Sequence, residues 1–190
     1  TSIVLYNRGV REDEQIKNFL SKDIGIMYDP FLMRDMDKAV ERINAAREAG
    51  ERITIYGDYD VDGITAIAIL YKYLSGIGID VDYYVPDRMQ EGYGVNRDAL
   101  DKIKSRGSSL IITVDTGITA VEECEYAAEI GLDVIVTDHH ECKERIPDVC
   151  ASIDPKRKDC KYPFKSLAGV GVVFKLIQAL DTNSSLFDLM

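Results

Sequence analysis

Three aspartates, Asp58, Asp60 and Asp62, stand two residues apart in the stretch IYGDYDVDGITA (55–66) and are closed by Gly63. On an extended chain, side chains two residues apart share a side, so the three carboxylates would occupy one small volume. Two such charges about 4 Å apart at an effective dielectric near 20 repel by roughly 4 kcal/mol, comparable to a whole domain's margin of stability. A cation is therefore expected among them. Further along, VDTG carries Asp115, and TDHHE carries Asp138, His139 and His140. Oxygen-rich donor sets with imidazole suit Mg2+ or Mn2+, the histidines tilting the preference toward manganese. Two ions bridged by a shared carboxylate are the usual device for attacking a phosphodiester. Asp115, alone after its strand, is the bridging candidate.

Each piece also has a plainer reading. D-x-D-x-D-G resembles the start of a calcium loop, but the twelfth position counted from Asp58 is Ile69 where such a loop needs glutamate. Asp62 or Asp138, taken singly, reads equally well as a helix N-cap, and paired histidines can be ordinary surface residues. What favours chemistry is the conjunction. In open α/β sheets ligands gather beyond the carboxyl ends of the strands, and three strands here end in such residues. Gly63 and Gly117 are expected to let the backbone turn sharply behind the carboxylates.

The elements that must position these groups follow from periodicity. REDEQIKNFLSK places Ile16, Phe19 and Leu20 at helical spacing, and DMDKAVERINAAREAG places Ala39, Val40, Ile43 and Ala46 on one face, with Gly50 at the stop. From residue 52 strands and helices alternate: RITIYG, ITAIAILYKYLSGIG, IDVDYYVP, NRDALDKIKSRG, SLIITVD, AVEECEYAAEIG and LDVIVTD. LIITV and VIVT are apolar on both sides, as central strands are. This predicts an α/β fold, a mostly parallel sheet with helices on both faces, preceded by two N-terminal helices. A long connection around a short strand at CASID leads to a last helix, LAGVGVVFKLIQALD.

Bulk properties set bounds. With 46% hydrophobic and 29% charged residues, the 190-residue chain is expected to fold. Its net charge of −10 gives no basic footprint for nucleic acid, although bound divalent cations would offset the acid locally. No membrane span or secretion signal is evident, so a soluble, cytoplasmic protein with no membrane partner is expected. Cys124, Cys142, Cys150 and Cys160 have no zinc-site spacing and read as reduced thiols.

GDYDVDGITA, VDTGI, TDHHE and SLAGVGVVFKL, in this order and at these separations, resemble the successive motifs of the DHH phosphoesterase superfamily, named for a triplet like Asp138-His139-His140. More narrowly, PDRMQEGYGVN and DPKRKDCKYPFKSLAGVGVVFKL resemble the RecJ group of single-strand-specific DNA exonucleases. The resemblance spans residues 50 to 180. It implies a two-metal enzyme using Mn2+ or Mg2+ to remove nucleotides from the 5′ end of single-stranded DNA in repair and recombination. Single-strand-binding protein and repair helicases would be its partners. It also implies that Asp60, Asp62, Asp115 and His139 are metal ligands, with Asp58 a further candidate, and that His140 contacts the scissile phosphate or assists a ligand. Catalytic roles thus fall to His140, Asp115 and Asp62.

Arg88 is the candidate phosphate clamp, with Tyr93 and Asn96 positioned to meet a base or sugar; a loop ion pair to Glu91 or Asp87 is the plainer reading of Arg88. Lys156, Arg157 and Lys158 could track a backbone or simply be solvated. AGVGVVF lacks the lysine and serine of a phosphate loop and reads as close helix packing. The superfamily completes its second metal site with a further aspartate that has no match up to Met190, and Asp154, Asp181 and Asp188 do not fit that motif. The expectation is residues 1–50 as a helical segment and 51–190 as a DHH domain, truncated before its last metal motif and the second domain, with weak or absent activity. The alternatives are an oligonucleotide or cyclic-dinucleotide phosphodiesterase, with a manganese pyrophosphatase more distant, or a non-catalytic nucleic-acid-binding module.

Overall fold

The computed structural model describes residues 2–21, 24–87, 92 and 94–181. Five strands, β1 (Arg52–Gly57), β2 (Val81–Tyr84), β3 (Ser108–Val114), β4 (Asp133–Thr137) and β5 (Ala151–Ile153), form one sheet in the order β2-β1-β3-β4-β5, and every pairing is parallel. The helices are α1 (Ser2–Asn7), α2 (Asp13–Leu20), α3 (Met36–Ala49), α4 (Val61–Gly76), α5 (Arg97–Ser105), α6 (Val121–Glu129) and α7 (Gly169–Leu180). The α/β class expected from the alternation is the one observed.

A strand's period of two divides the core. Ile53 and Ile55 of β1, Leu110, Ile112 and Val114 of β3, and Ile135 of β4 pack against α3, α4 and α7. Tyr56, Ile111, Val134 and Val136 turn to the opposite face, covered by α5 and α6. Burial on both faces explains why β3 and β4 read as unbroken apolar runs.

Two elements depart from the sequence reading. The short α1 has no periodic apolar signal long enough to announce it. In α2 the helical pattern is right, but Phe19 and Leu20 stay more than half exposed, so its apolar face finds no cover among the described residues. In α3, by contrast, Ala39, Ile43 and Ala46 are fully buried and Gly50 caps the helix at φ 66°. All four cysteines are free thiols, Cys124 and Cys160 buried. No helix among the described residues is long and apolar enough to cross a membrane.

Candidate metal centre

The chain leaves β1 toward β2 on one side and returns to β3 on the other, so the strand order reverses between β1 and β3. A crevice opens at such a point beyond the carboxyl ends of the strands. In the register of the sheet, Gly57 pairs with Val114, Val114 with Thr137 and Thr137 with Ile153. The next residue of each strand is Asp58, Asp115, Asp138 and Asp154, and the four aspartates form a row along the rim. The ladder carries into that row: Asp115 N–H donates to Thr137 O and Asp138 N–H to Ile153 O, both at 3.0 Å.

Asp58, Asp60 and Asp62 do converge on this rim, but not by alternation along an extended strand. β1 stops at Gly57 and α4 begins at Val61, because the Asp60 carboxylate caps it by accepting the N–H groups of Asp62 and Gly63 at 2.8 and 2.9 Å. The capping role considered for Asp62 thus belongs to Asp60. Gly63 is also needed for a reason other than the one expected: a Cβ there would lie 2.4 Å from the Asp58 carbonyl oxygen, so close backbone packing, not a left-handed turn, excludes a side chain. Gly117, at φ 110°, does turn as expected.

Asp62 reaches the other way. Its Oδ2 accepts the N–H of Gly169 at 2.8 Å and its Oδ1 that of Val170 at 2.7 Å, so the first aspartate of α4 caps α7, whose own N-cap, Ala168, has no side chain to do so. His139 Nε2 stands 3.6 Å from Asp62 Oδ2 and 3.0 Å from Asp115 Oδ1.

Asp115 is the centre of the cluster. Its φ of 59° is left-handed, a conformation uncommon outside glycine and tolerated best by Asp and Asn. Burial, with Asp62 and Asp60 close by, pushes its carboxyl up to about 7. Its buried Oδ1 makes no hydrogen bond, even with His139 Nε2 so near. One donor atom from each of Asp58, Asp60 and Asp115 lies within 4.8 Å of the others, and the same holds for Asp115, His139 and His140. Asp115 belongs to both groups. An orphaned buried oxygen between converging carboxylates and an imidazole fits a divalent cation, and the oxygen-rich set with histidine suits Mn2+ or Mg2+.

Asp138 serves the site without belonging to either group. Its Oδ1 accepts the His139 and His140 N–H groups and meets His140 Nδ1 at 2.7 Å, while Oδ2 accepts the Ile118 N–H at 2.9 Å. Burial opposes its charge, but the hydrogen bonds from His140 and Ile118 outweigh that and hold its carboxyl below the ordinary value. In return, the hydrogen bond to Asp138 raises His140 to about 8. The sequence singled out the triplet but not this orienting role of its first member.

The remaining candidates are dispersed. Arg88 and Tyr93 lie outside the described residues. Asn96 caps α5, its Oδ1 accepting from Ala99 N–H at 2.8 Å and its Nδ2 donating to the Tyr56 hydroxyl at 3.2 Å, so any contact with substrate would be added to that structural role. The basic run is split. Arg157 is buried among Asp35, Asp159 and the Ser152 carbonyl, whereas Lys156 pairs with Glu141 at 3.1 Å on the rim. Asp154, set aside at the sequence level, is fully buried with Oδ2 unpartnered, and burial pushes it up to about 7.

Residues 52–190 match the model of the DHH family, N-terminal domain. The single-stranded-DNA-specific exonuclease RecJ of Bacillus subtilis (strain 168) is 51% identical over 177 residues, which cover 93% of this chain and 22% of that protein. The crystal structure of RecJ in complex with Mn2+ from Thermus thermophilus superposes with a TM-score of 0.70 at 31% identity, covering 93% of this chain and 24% of that one. A crystal structure of an exonuclease RecJ bound to manganese gives a TM-score of 0.71 at 36% identity over 78% of this chain and 37% of that one. The chain thus spans 22 to 30% of the length of the first curated relatives it matches.

Proposed function

Because this chain belongs to the DHH family, we propose that it is the cation-binding part of a cytoplasmic, single-strand-specific DNA exonuclease that hydrolyses phosphodiester bonds from the 5′ end with Mn2+ or Mg2+. Residues 51–190 would form its DHH domain and residues 1–50 a helical lead-in. The observation that carries the reading is the place of Asp115, whose carboxylate belongs to two donor groups at the switch point of the sheet. The relatives' single-strand specificity and the manganese in their solved structures support the choice of substrate and ion.

In this reading Asp58, Asp60 and Asp115 would hold one ion, and Asp115 and His139 the other, with Asp62 3.6 Å from His139 Nε2 as its further ligand. Bound divalent ions acidify a water and neutralise charge on the phosphoryl oxygens. The protein's part is placement. The left-handed backbone at Asp115 aims its carboxylate between the two groups. The α7 amides fix the rotation of Asp62. Asp138 orients the His140 ring and favours its protonated form, which suits hydrogen bonding or proton donation to a phosphoryl or leaving oxygen. Lys156, and Arg88 with its neighbours Tyr93 and Asn96, would grip the strand, and single-strand-binding protein and repair helicases would be the partners that present it.

The test is manganese-dependent release of nucleotides from 5′-labelled single-stranded DNA by the full-length protein of which this chain is a part, set against duplex DNA, cyclic di-AMP and pyrophosphate. Release confined to the single strand supports the proposal. Preference for the cyclic dinucleotide would assign a phosphodiesterase instead, and strand binding without cleavage a non-catalytic module.

A further inference from the structure

α7 begins against the carboxylates. Gly169, its first residue, has no left-handed backbone to explain a glycine, and a Cβ built on it would lie 2.6 Å from Asp115 Oδ1, 2.7 Å from Asp115 Cβ and 2.8 Å from Asp115 Cγ. That Oδ1 is the buried oxygen with no hydrogen bond. The same residue donates its N–H to Asp62 Oδ2 at 2.8 Å, and Val170 donates to Oδ1 of the same carboxylate. Gly169 therefore touches two acidic groups that come from different elements, Asp62 in the first turn of α4 and Asp115 just after β3, 53 residues apart in sequence. Gly171, two residues on, is different: the three atoms nearest to a Cβ there all belong to the Leu167 side chain, the closest at 3.1 Å.

We propose that Gly169 is a positioning residue for the cation cluster: its bare Cα leaves the space that Asp115 Oδ1 occupies, and its N–H, together with that of Val170, sets the rotation of Asp62. The inference rests on the metal reading given above. It makes α7 a gauge that fixes two ligands from outside their own elements. Ligand geometry of this kind governs affinity, since removing a partner that orients a metal ligand typically weakens binding about 10- to 100-fold.

Gly169→Ala is a clean perturbation, because alanine is a better helix former than glycine and the backbone here accepts it. Manganese binding is measured on the full chain by calorimetry and by the Mn2+ electron paramagnetic resonance signal, with circular dichroism confirming the fold. Gly169→Ala is expected to raise the Mn2+ dissociation constant by about tenfold or more, while Gly171→Ala stays near the parent value. Unchanged affinity in a folded Gly169→Ala overturns the proposal. Should that variant not fold, Val170→Pro decides the matter: in a first helical turn, where proline is tolerated, it removes the N–H on Asp62 Oδ1, with Val170→Ala as the control for the side chain that packs on the core. Parent-like affinity in Val170→Pro then overturns the proposal, and weakened affinity supports it. A parent chain that takes up no manganese fails the metal reading itself, a result distinct from a parent that binds and a Gly169→Ala variant that binds equally well.

Discussion

His140 Nδ1 and Asp138 Oδ1 lie 2.7 Å apart, and the carboxylate that holds the ring also holds the backbone of both histidines and of Ile118. His140 is thus fixed by a side chain that is itself fixed on four sides. Replacing His140 with alanine should lower turnover by about a hundredfold or more, the scale of a lost acid–base group, with a much smaller loss of Mn2+ affinity. Metal titration beside single-turnover kinetics checks this, and equal losses would make His140 a ligand.

Asp138→Asn should destabilise the protein by about 1 to 3 kcal/mol, because an amide cannot accept from all of these donors and leaves one unsatisfied in the interior. The pair also has a pH signature. His140 is raised above its unfolded value, so its share of stability is complete below about 6.5 and lost as pH rises through about 8. Asp138 is depressed, so its share is present above about 3.9 and lost as pH falls through its lowered value. Urea denaturation of parent and variant should therefore differ most between those limits.

Asp115 is raised to about 7 by burial and by Asp62 and Asp60, so without cations the folded state loses stability as pH climbs from the ordinary carboxylate range through 7. Saturating Mn2+ should reverse this, adding about 2.7 kcal/mol at a hundred times the dissociation constant. Asp115→Asn should melt higher than the cation-free parent at pH 8 and gain nothing from Mn2+. Thermal melts with and without the ion read both effects.

Asp154 offers a test outside the proposed ligands. Its carboxyl is displaced from 3.8 to about 7 by burial, a shift worth on the order of 4 kcal/mol against the folded state once it is ionised. Asparagine imitates the neutral form. Asp154→Asn should match the parent below about pH 3.9 and exceed it progressively as pH rises through about 7 in denaturant titrations.

Arg157 is the buried member of the basic run, tied to Asp35 at 2.7 Å and to Asp159 at 2.8 Å. Arg157→Ala should cost about 3 to 5 kcal/mol by stranding Asp35, whereas Lys158→Ala should cost less than about 0.5. If binding to single-stranded DNA is then compared at equal folded fraction, Arg157→Ala should be neutral.

The central strands were legible because each is largely buried on both faces and bounded by helix signals; RITIYG in the sequence is β1 residue for residue. The site residues were legible by type and by their place at strand ends. Their local geometry was not. An aspartate every second residue suggests an extended chain, but Asp60 can satisfy two amides by starting a helix, and that local bond wins over the strand period. Asp154 carried a weak signal, being the residue after the short strand CASID, yet only the register of β4 with β5 aligns it with Asp58, Asp115 and Asp138. The tie between Asp62 and α7 left no local trace, since its partners are 107 and 108 residues apart.

That last contact has a temporal meaning for biosynthesis. A ribosome would release Asp58, Asp60 and Asp62 long before the amides that steady Asp62 exist, with β2, β3, β4 and β5 still to be made in between. A growing chain would hold its acidic loop as a loose, repelling cluster until α7 docks, so cation capture should coincide with completion of the sheet and not with emergence of the first motif.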